Sequence, residues 1–323
     1  MALTVVDQGL LGTNAQYTGF KNRIINGAMK IWQRGTSISV GGSNTYTADR
    51  WFGLAAGANY TASQASYSLG GITKASLVIS GAASNTQCDI AQRIESVNAY
   101  DLAGSVCTVS ADVYTTDGTS VTWEAYSANA TDNFSATTLI ATGALTTTAG
   151  SYTSKTFSFT ASSAVANGLE IRFKFGSLLS GKQGALGVVQ LEKGSTATSF
   201  DYRPYGTELA LCQRYYENTY PSGTAVGTSV GQGYLYAQSI SAINGYINGD
   251  YIFKVTKRAD PTVVFYKRDG TINSWFYGLT GQTETAYTPA NISTSPWGVT
   301  WYNNISTVSA NNHYGMLTAS AEL

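Results

Sequence analysis

Apolar and polar residues alternate along most of this chain in short runs separated by Gly, Asn and Ser. A period of two belongs to half-buried β-strands, whose successive side chains point to opposite faces. The clearest runs are KASLVIS (74–80), SVCTVSADVYT (105–115), SVTWEAYS (120–127), KTFSFT (155–160), LEIRFKF (169–175) and GALGVVQLEKG (184–194). In LEIRFKF, Leu169, Ile171, Phe173 and Phe175 share one face and are expected in the core, leaving Glu170, Arg172 and Lys174 on the other. Turn signals fall between the runs, TDGT at 116–119 and ANG at 166–168. Each such strand buries one face only, so a second sheet has to lie opposite the first. An antiparallel jelly-roll β-sandwich is the simplest arrangement that provides it.

The pattern changes between 201 and 223. Pro204 and Gly206 precede TELALCQRYYE, the stretch with helical spacing, and Thr207 followed by Glu208 predicts its N-terminus. Leu209, Cys212 and Tyr216 at i, i+3 and i+7 line one face of the predicted helix, and Leu211 and Tyr215 widen the stripe. That stripe needs burial against its own domains or against another subunit, Leu209, Cys212 and Tyr216 being the candidate subunit contacts. Strand patterning resumes with GYLYAQSI (233–240), GDYIFKVT (249–256), PTVVFYKRDGT (261–271) and HYGMLTASAEL (313–323), KRDGT reading as a hairpin turn. The opening stretch keeps no period and is rich in Gly, Asn and Thr, as in an extended arm. The expected organisation is all-β: an N-terminal arm for attachment (1–21), a jelly-roll domain (22–203), a connector with a short helix (204–222) and a second, smaller β-sandwich domain (223–323).

Composition changes the picture mainly at the surface. Hydrophobic residues make up 43% of the 323, enough for such cores, but charged residues make up only 12% while Gly reaches 34 and Tyr 22. Polarity therefore comes from Ser, Thr, Asn and Gly. The 19 basic and 19 acidic residues cancel, which removes any global attraction to a polyanion, so nucleic acid is not an expected partner. MALTVVDQGLLGTNAQYTGF has no basic residue before Lys21 and no apolar core of signal-peptide length, and no apolar run approaches the roughly 18 residues of a membrane helix. Neither secretion by signal peptide nor membrane insertion is expected. Cys88, Cys107 and Cys212 lack the close spacing of a zinc site and read as buried thiols, and no metal or cofactor is expected.

Two stretches carry a more specific pattern. The first, 22–52, runs N-x-x-x-N-G (Asn22, Asn26, Gly27), W-Q-R-G (Trp32, Gln33, Arg34, Gly35) and A-D-R-W (Ala48, Asp49, Arg50, Trp51). The second, 188–217, contains Gln190, Leu191, Glu192, Gly194, Ala197, Thr198 and Phe200, then Glu208, Leu209, Cys212, Gln213, Arg214, Tyr215 and Tyr216. Both resemble the opening and closing of a β-sandwich domain found in phage tail-fibre and appendage proteins. RADPTV (258–263) and the closing AEL resemble their C-terminal domain. The resemblance implies a virion structural protein, a tail fibre or receptor-binding appendage, usually homotrimeric, whose first domain is similar to carbohydrate-binding jelly rolls. It also implies a location in the virion after assembly in the host cytoplasm, with the arm docked on other virion proteins. The motif residues read as structural, with Asp49 paired to Arg34 or Arg50 at the motif's turn.

The residues suited to chemistry are few. His313 has no Ser or Cys partner that spacing selects and reads as a partly exposed strand residue. A glycan hydrolase needs two carboxylates across a cleft; Asp89 with Glu95 and Asp112 with Glu124 are candidates, each more simply a solvated strand residue. No catalysis is expected. Sugar recognition needs flat aromatic faces beside hydrogen-bonding groups. Trp275 and Tyr277 in NSWFYGLTG, Trp297 in SPWG, and Trp301 and Tyr302 in WYNN fall in segments with Gly, Pro and Asn, where loops are expected, and are the candidate ligand contacts. Trp123 and Tyr126 point to opposite faces of one strand, so one of them is available to a subunit or a ligand. The expected function is a receptor-binding appendage contacting a host surface glycan. The alternative is a capsid decoration or fibre-adaptor protein without receptor contact.

Overall fold

A computed structural model describes residues 20–231, 235–239, 246–278, 285–304 and 312–323, so residues 1–19 of the expected arm lie outside the described residues. Strands β1 (Ser37–Val40), β2 (Thr45–Tyr46), β3 (Trp51–Gly57), β4 (Tyr60–Leu69), β5 (Ile72–Ser80) and β6 (Asn85–Ile94) are followed by the short helix α1 (Ser96–Ala99). Then come β7 (Val106–Thr115), β8 (Val121–Ala130), β9 (Asn133–Leu145), β10 (Thr153–Thr160), β11 (Leu169–Lys174) and β12 (Gln183–Lys193). They form two six-stranded antiparallel sheets, β1-β4-β5-β12-β7-β10 and β2-β3-β6-β11-β8-β9. The protein is all-β and this part is a jelly-roll sandwich, as the alternation predicts. Between the sheets lie Trp51, Val109, Val113, Ile171, Phe173, Leu186 and Val189, all fully buried, and Trp123, which stacks on Phe157 with ring centres 3.8 Å apart. Leu169, Ile171, Phe173 and Phe175 point into this core. Tyr126 takes the opposite face of β8, where its hydroxyl donates to Glu124 at 2.6 Å.

The connecting helix α2 spans Tyr205–Gln213, starting two residues earlier and ending four residues sooner than TELALCQRYYE suggests. Pro204, not Thr207, is the N-cap: its ψ of 141° lies outside the helix while its carbonyl accepts the Glu208 amide at 3.0 Å. Tyr216 leaves the helix altogether for strand β13 (Tyr216–Asn218), which pairs with the C-terminal strand. The expected subunit stripe is therefore corrected. Cys212 is fully buried and Tyr216 lies under the Arg34 guanidinium at 3.5 Å, both covered by their own chain; Leu209 is half-buried at the wall of a cavity. All three cysteines are buried free thiols, and burial pushes Cys88 up to about 12 and Cys107 up to about 11.

The rest of the chain forms a third sheet from β14 (Leu235–Ser239), β15 (Tyr246–Ile252), β16 (Thr262–Tyr266), β17 (Trp275–Gly278), β18 (Thr285–Tyr287), β19 (Ser293–Ser295), β20 (Gly298–Asn304) and β21 (Asn312–Ser320), joined by β13. β21 pairs with β14 and β17 through its first residues and with β13 and β16 through its last, so the sheet curls over a core of Phe253, Phe265, Trp275, Val299, Trp301 and Leu317. KRDGT is the turn after β16, with Gly270 at φ +89° and the Lys267 amide donating to Thr271 O at 2.9 Å.

The two parts are joined by the motif residues. Asn26 Nδ2 donates to Ile31 O and Asp49 O, while its Oδ1 accepts the Lys30 and Ile31 amides at 3.0 Å, so the side chain is fully used in fixing the opening turn. Asp49 accepts from the Gln33 amide at 2.9 Å and from the Gln33 side chain, which also donates to Tyr216 O at 2.8 Å. Asn218 returns a bond to Gln33 O at 2.6 Å. Asp49 lies 3.9 Å from Arg34, and burial raises its carboxyl. Arg50 pairs instead with Glu322 of the closing AEL, stacks on Tyr215 at 3.4 Å and donates to Arg93 O. Arg34 reaches the same carboxylate at 3.2 Å. The Leu323 carbonyl accepts from Arg93 at 2.7 Å and Tyr46 at 3.0 Å.

Removing one partner of a buried pair strands the other charge. Glu322→Ala, which leaves Arg50 at 1% exposure without its carboxylate, should lower unfolding stability by about 3 kcal/mol in denaturant melts; a loss below about 0.5 kcal/mol would contradict the clamp. His313, expected partly exposed, is fully buried beside Tyr287, and burial lowers its imidazole to about 4 from 6.5. The unfolded chain takes up this proton first as pH falls. The stability contribution of the neutral ring is thus complete above pH 6.5 and is lost toward pH 4. The stability difference between wild type and His313→Gln should change across that window, and a pH-independent difference would contradict it.

Candidate functional site

The aromatic residues expected to bind ligand do not form one site. Trp275 and Trp301 are 0% and 2% exposed, with ring centres 4.8 Å apart, and pack on Phe265 at 5.7 and 5.0 Å. Their segments are strands, not loops, and glycines on facing strands admit the indoles: a Cβ on Gly249 would lie 2.2 Å from Trp301 and one on Gly315 2.3 Å from Trp275. Both are core residues, which corrects the expectation that they contact ligand. Trp297, in the turn between β19 and β20, is 65% exposed, and Tyr302, on the outer face of β20 opposite Asn248, is 48% exposed. About 13 Å of strand lies between Gly298 and Tyr302. Tyr277 belongs to β17, and its side chain lies outside the described residues.

The structure assembles a different aromatic surface on the outer face of the first sheet. Register places Ser76 of β5, Gly187 of β12, Asp112 of β7 and Ser154 of β10 side by side in one row. The Tyr67 ring, from β4, lies across this row. It fits because position 187 is glycine, where a Cβ would come within 2.5 Å of the Tyr67 hydroxyl. Asp112 accepts from Tyr67 at 2.5 Å, from Ser154 at 2.5 Å and from Lys74 at 2.8 Å. Burial first, and then the Asp112 carboxylate, hold the Tyr67 phenol far above its usual value, so it remains a donor. Tyr152 stacks on Tyr67 at 3.8 Å and donates to Ser76 at 2.9 Å, and Tyr114 leans on Tyr152 at 5.1 Å. One carboxylate thus orients Tyr67, a lysine and one serine on the outer sheet face, with Tyr152 stacked above them and bonded to Ser76.

Beside this surface is a cavity of about 290 Å³ lined by Ala28, Lys30, Thr73, Lys74, Val188 and Tyr202, among others. Lys74 is the wall it shares with the tyrosine stack. Tyr202 is 55% exposed, with the Lys30 ammonium 6.0 Å from its ring centre. The cavity depends on a bulge in β12 between Gly187 and Gln190, where Val188 takes φ +44°, a strained value for a β-branched residue. The opening motif holds the bulge. The Val189 amide donates to Gly27 O at 2.8 Å, Asn22 Nδ2 donates to Val189 O at 3.2 Å, and a Cβ at Gly27 would sit 2.1 Å from that same oxygen.

The carboxylates considered for catalysis are separated. Asp112 is on the first sheet and Glu124 on the second, on opposite outer faces of the sandwich. Glu124 pairs with Lys174 at 3.2 Å, Asp89 is 3.9 Å from Arg172, and Glu95 pairs with Arg214 at 3.1 Å. Burial raises the Asp89 carboxyl. Among the described residues no group of three or more His, Cys, Asp or Glu side chains is placed to hold a metal ion, and no helix is long and apolar enough to cross a membrane.

The fold places the first part of the chain in the class of jelly-roll β-sandwich domains. No protein-family model matches the chain and no curated protein matches it. Solved structures similar to it include a CBM4 domain (16% identity, 52% of this chain and 98% of that one, TM-score 0.35). Another is the enzymatically active domain of tailspike protein 4 of bacteriophage CBA120 (14% identity, 54% of this chain and 22% of that one, TM-score 0.38). A third is TmCBM61 in complex with β-1,4-galactotriose (10% identity, 54% of this chain and 99% of that one, TM-score 0.29).

The two exposures in the third sheet predict opposite outcomes. Trp301→Ala should cost about 3 to 5 kcal/mol of stability, and Trp297→Ala should stay within about 0.5 kcal/mol of wild type. Similar losses in denaturant melts would contradict the placement of Trp301 in the core.

Proposed function

We propose that this chain is a virion appendage protein that contacts a host surface glycan through the tyrosine face of its first sandwich, without catalysis. The observation that carries the reading is the Tyr67–Tyr152–Tyr114 cluster ordered by Asp112 beside a cavity of about 290 Å³. Sugars offer C–H faces for stacking and hydroxyls for hydrogen bonds, and this surface presents aromatic rings next to a lysine and the Ser154 hydroxyl. The Tyr67 hydroxyl donates its one proton to Asp112, which fixes its ring as the platform under Tyr152. The virion role is supported by the opening and closing motifs, which resemble those of phage appendage proteins and whose residues make the joint between sandwich and third sheet. In this reading the arm of 1–21 docks on other virion proteins. Three copies would raise the avidity of a shallow site through effective concentration.

Glycan-array screening followed by calorimetry on the full chain tests the reading. Tyr152→Ala should weaken binding about ten-fold, near 1.4 kcal/mol, while Trp297→Ala leaves it unchanged. Absence of binding to any array glycan, or loss with Trp297→Ala alone, would contradict the reading. The first of those results would favour a decoration or fibre-adaptor role.

A further inference from the structure

A second cavity, of about 230 Å³, opens on the other side of Lys30, between the 30–36 segment and the chain from α2 to Gly223. Its wall includes Gln33, Gln64, Tyr205, Tyr220 and Lys254. Lys30 lines both cavities, one of which runs to Lys74 and Tyr202 and the other to Tyr205 and Lys254. Together they carry three lysines and no aspartate or glutamate in either wall. Lys74 is neutralised by Asp112, whereas Lys30 and Lys254 are exposed and form no ion pair among the described residues. Glu208, next to Leu209 of the wall, is turned away to Arg203 at 3.0 Å. In a chain of net charge zero this is a local excess of positive charge bordered by exposed phenol rings, Tyr202 at 55% and Tyr205 at 57%.

We propose that the two cavities form one site for an acidic oligosaccharide, with a carboxylated sugar between Lys30 and Lys254 and neighbouring rings stacked on Tyr202 and Tyr205. This rests on the glycan-binding reading and narrows it. Ammonium groups without an intramolecular carboxylate meet a sugar carboxylate directly, and phenol faces and the Gln64 amide serve the ring and its hydroxyls. Because these lysines are exposed, their attraction is screened by salt. The lack of any long-range charge on the whole chain separates this site from a general polyanion surface.

Calorimetry on the full chain would compare tetragalacturonic acid with its neutral methyl ester, and 3′-sialyllactose with lactose. The acid of at least one pair should bind about ten-fold tighter than its neutral partner at low salt. The preference should shrink in 0.5 M NaCl, a concentration on the order of that which shortens the screening length to a few ångströms. Lys30→Gln with Lys254→Gln should remove it while leaving the melt unchanged, both side chains being exposed. The tetragalacturonate arm reports an internal uronic acid and the sialyllactose arm a terminal acid. Equal binding of acid and ester, with Tyr152→Ala still weakening both, would overturn the acidic-sugar inference and leave the glycan reading standing. An acid preference that survives the double lysine substitution would overturn the assignment to this site. No binding of any probe overturns the inference as well, and an empty glycan array would then remove the broader reading separately.

Discussion

The carboxylate of Glu322 receives two arginines that belong to different parts of the opening motif, Arg34 and Arg50, and neither has another acidic partner as close. Around it Tyr215 and Tyr216 cover the guanidinium planes, at 3.4 and 3.5 Å, and the backbone of Ala321 donates to Tyr215 O at 2.7 Å. A guanidinium is well suited to this burial because it keeps its charge, stacks on a ring and still offers in-plane donors. Desolvation alone would lower the Arg50 guanidinium; Glu322 more than reverses that, so the pair stays ionised. The end of the chain is therefore a structural part of the first sandwich, and the third sheet is held in place by it.

The same motif that makes this joint also shapes the candidate site. Asn22 and Gly27 brace the β12 bulge from below, the bulge turns Val188 into the cavity wall, and Gly187 beside it leaves room for Tyr67. Strain at Val188 is held by surrounding bonds, which is the usual condition for a non-glycine residue at positive φ. Residues that make no ligand contact thus decide where the ligand surface lies. Joint and bulge are both held by hydrogen bonds from the opening motif.

Much of the fold was legible because alternation is a local signal. Leu169, Ile171, Phe173 and Phe175 could be assigned to the core from their spacing alone, and KRDGT could be read as a turn from its composition. The helix was legible in existence but not in extent, since Tyr215 and Tyr216 leave it for cation–π contacts with Arg50 and Arg34, partners more than 160 residues away in sequence. The candidate site was not legible. Asp112, Ser76, Ser154 and Tyr67 each look like a solvated strand position, and only the register of four strands shows that they meet. Trp275 and Trp301 misled for the converse reason: glycine and asparagine around them suggest loops, whereas Gly249 and Gly315 are the flat strand positions that accommodate indole rings. The tyrosine count of 22 was the one compositional hint toward an aromatic surface.

The most direct measurement is a crystal structure of the full chain with a bound oligosaccharide identified by array screening. The account predicts electron density for sugar rings against Tyr152 and Tyr202, with Lys74 within hydrogen-bond distance. Density confined to the third sheet at Trp297 and Tyr302, with the tyrosine face of the first sandwich empty, would contradict it.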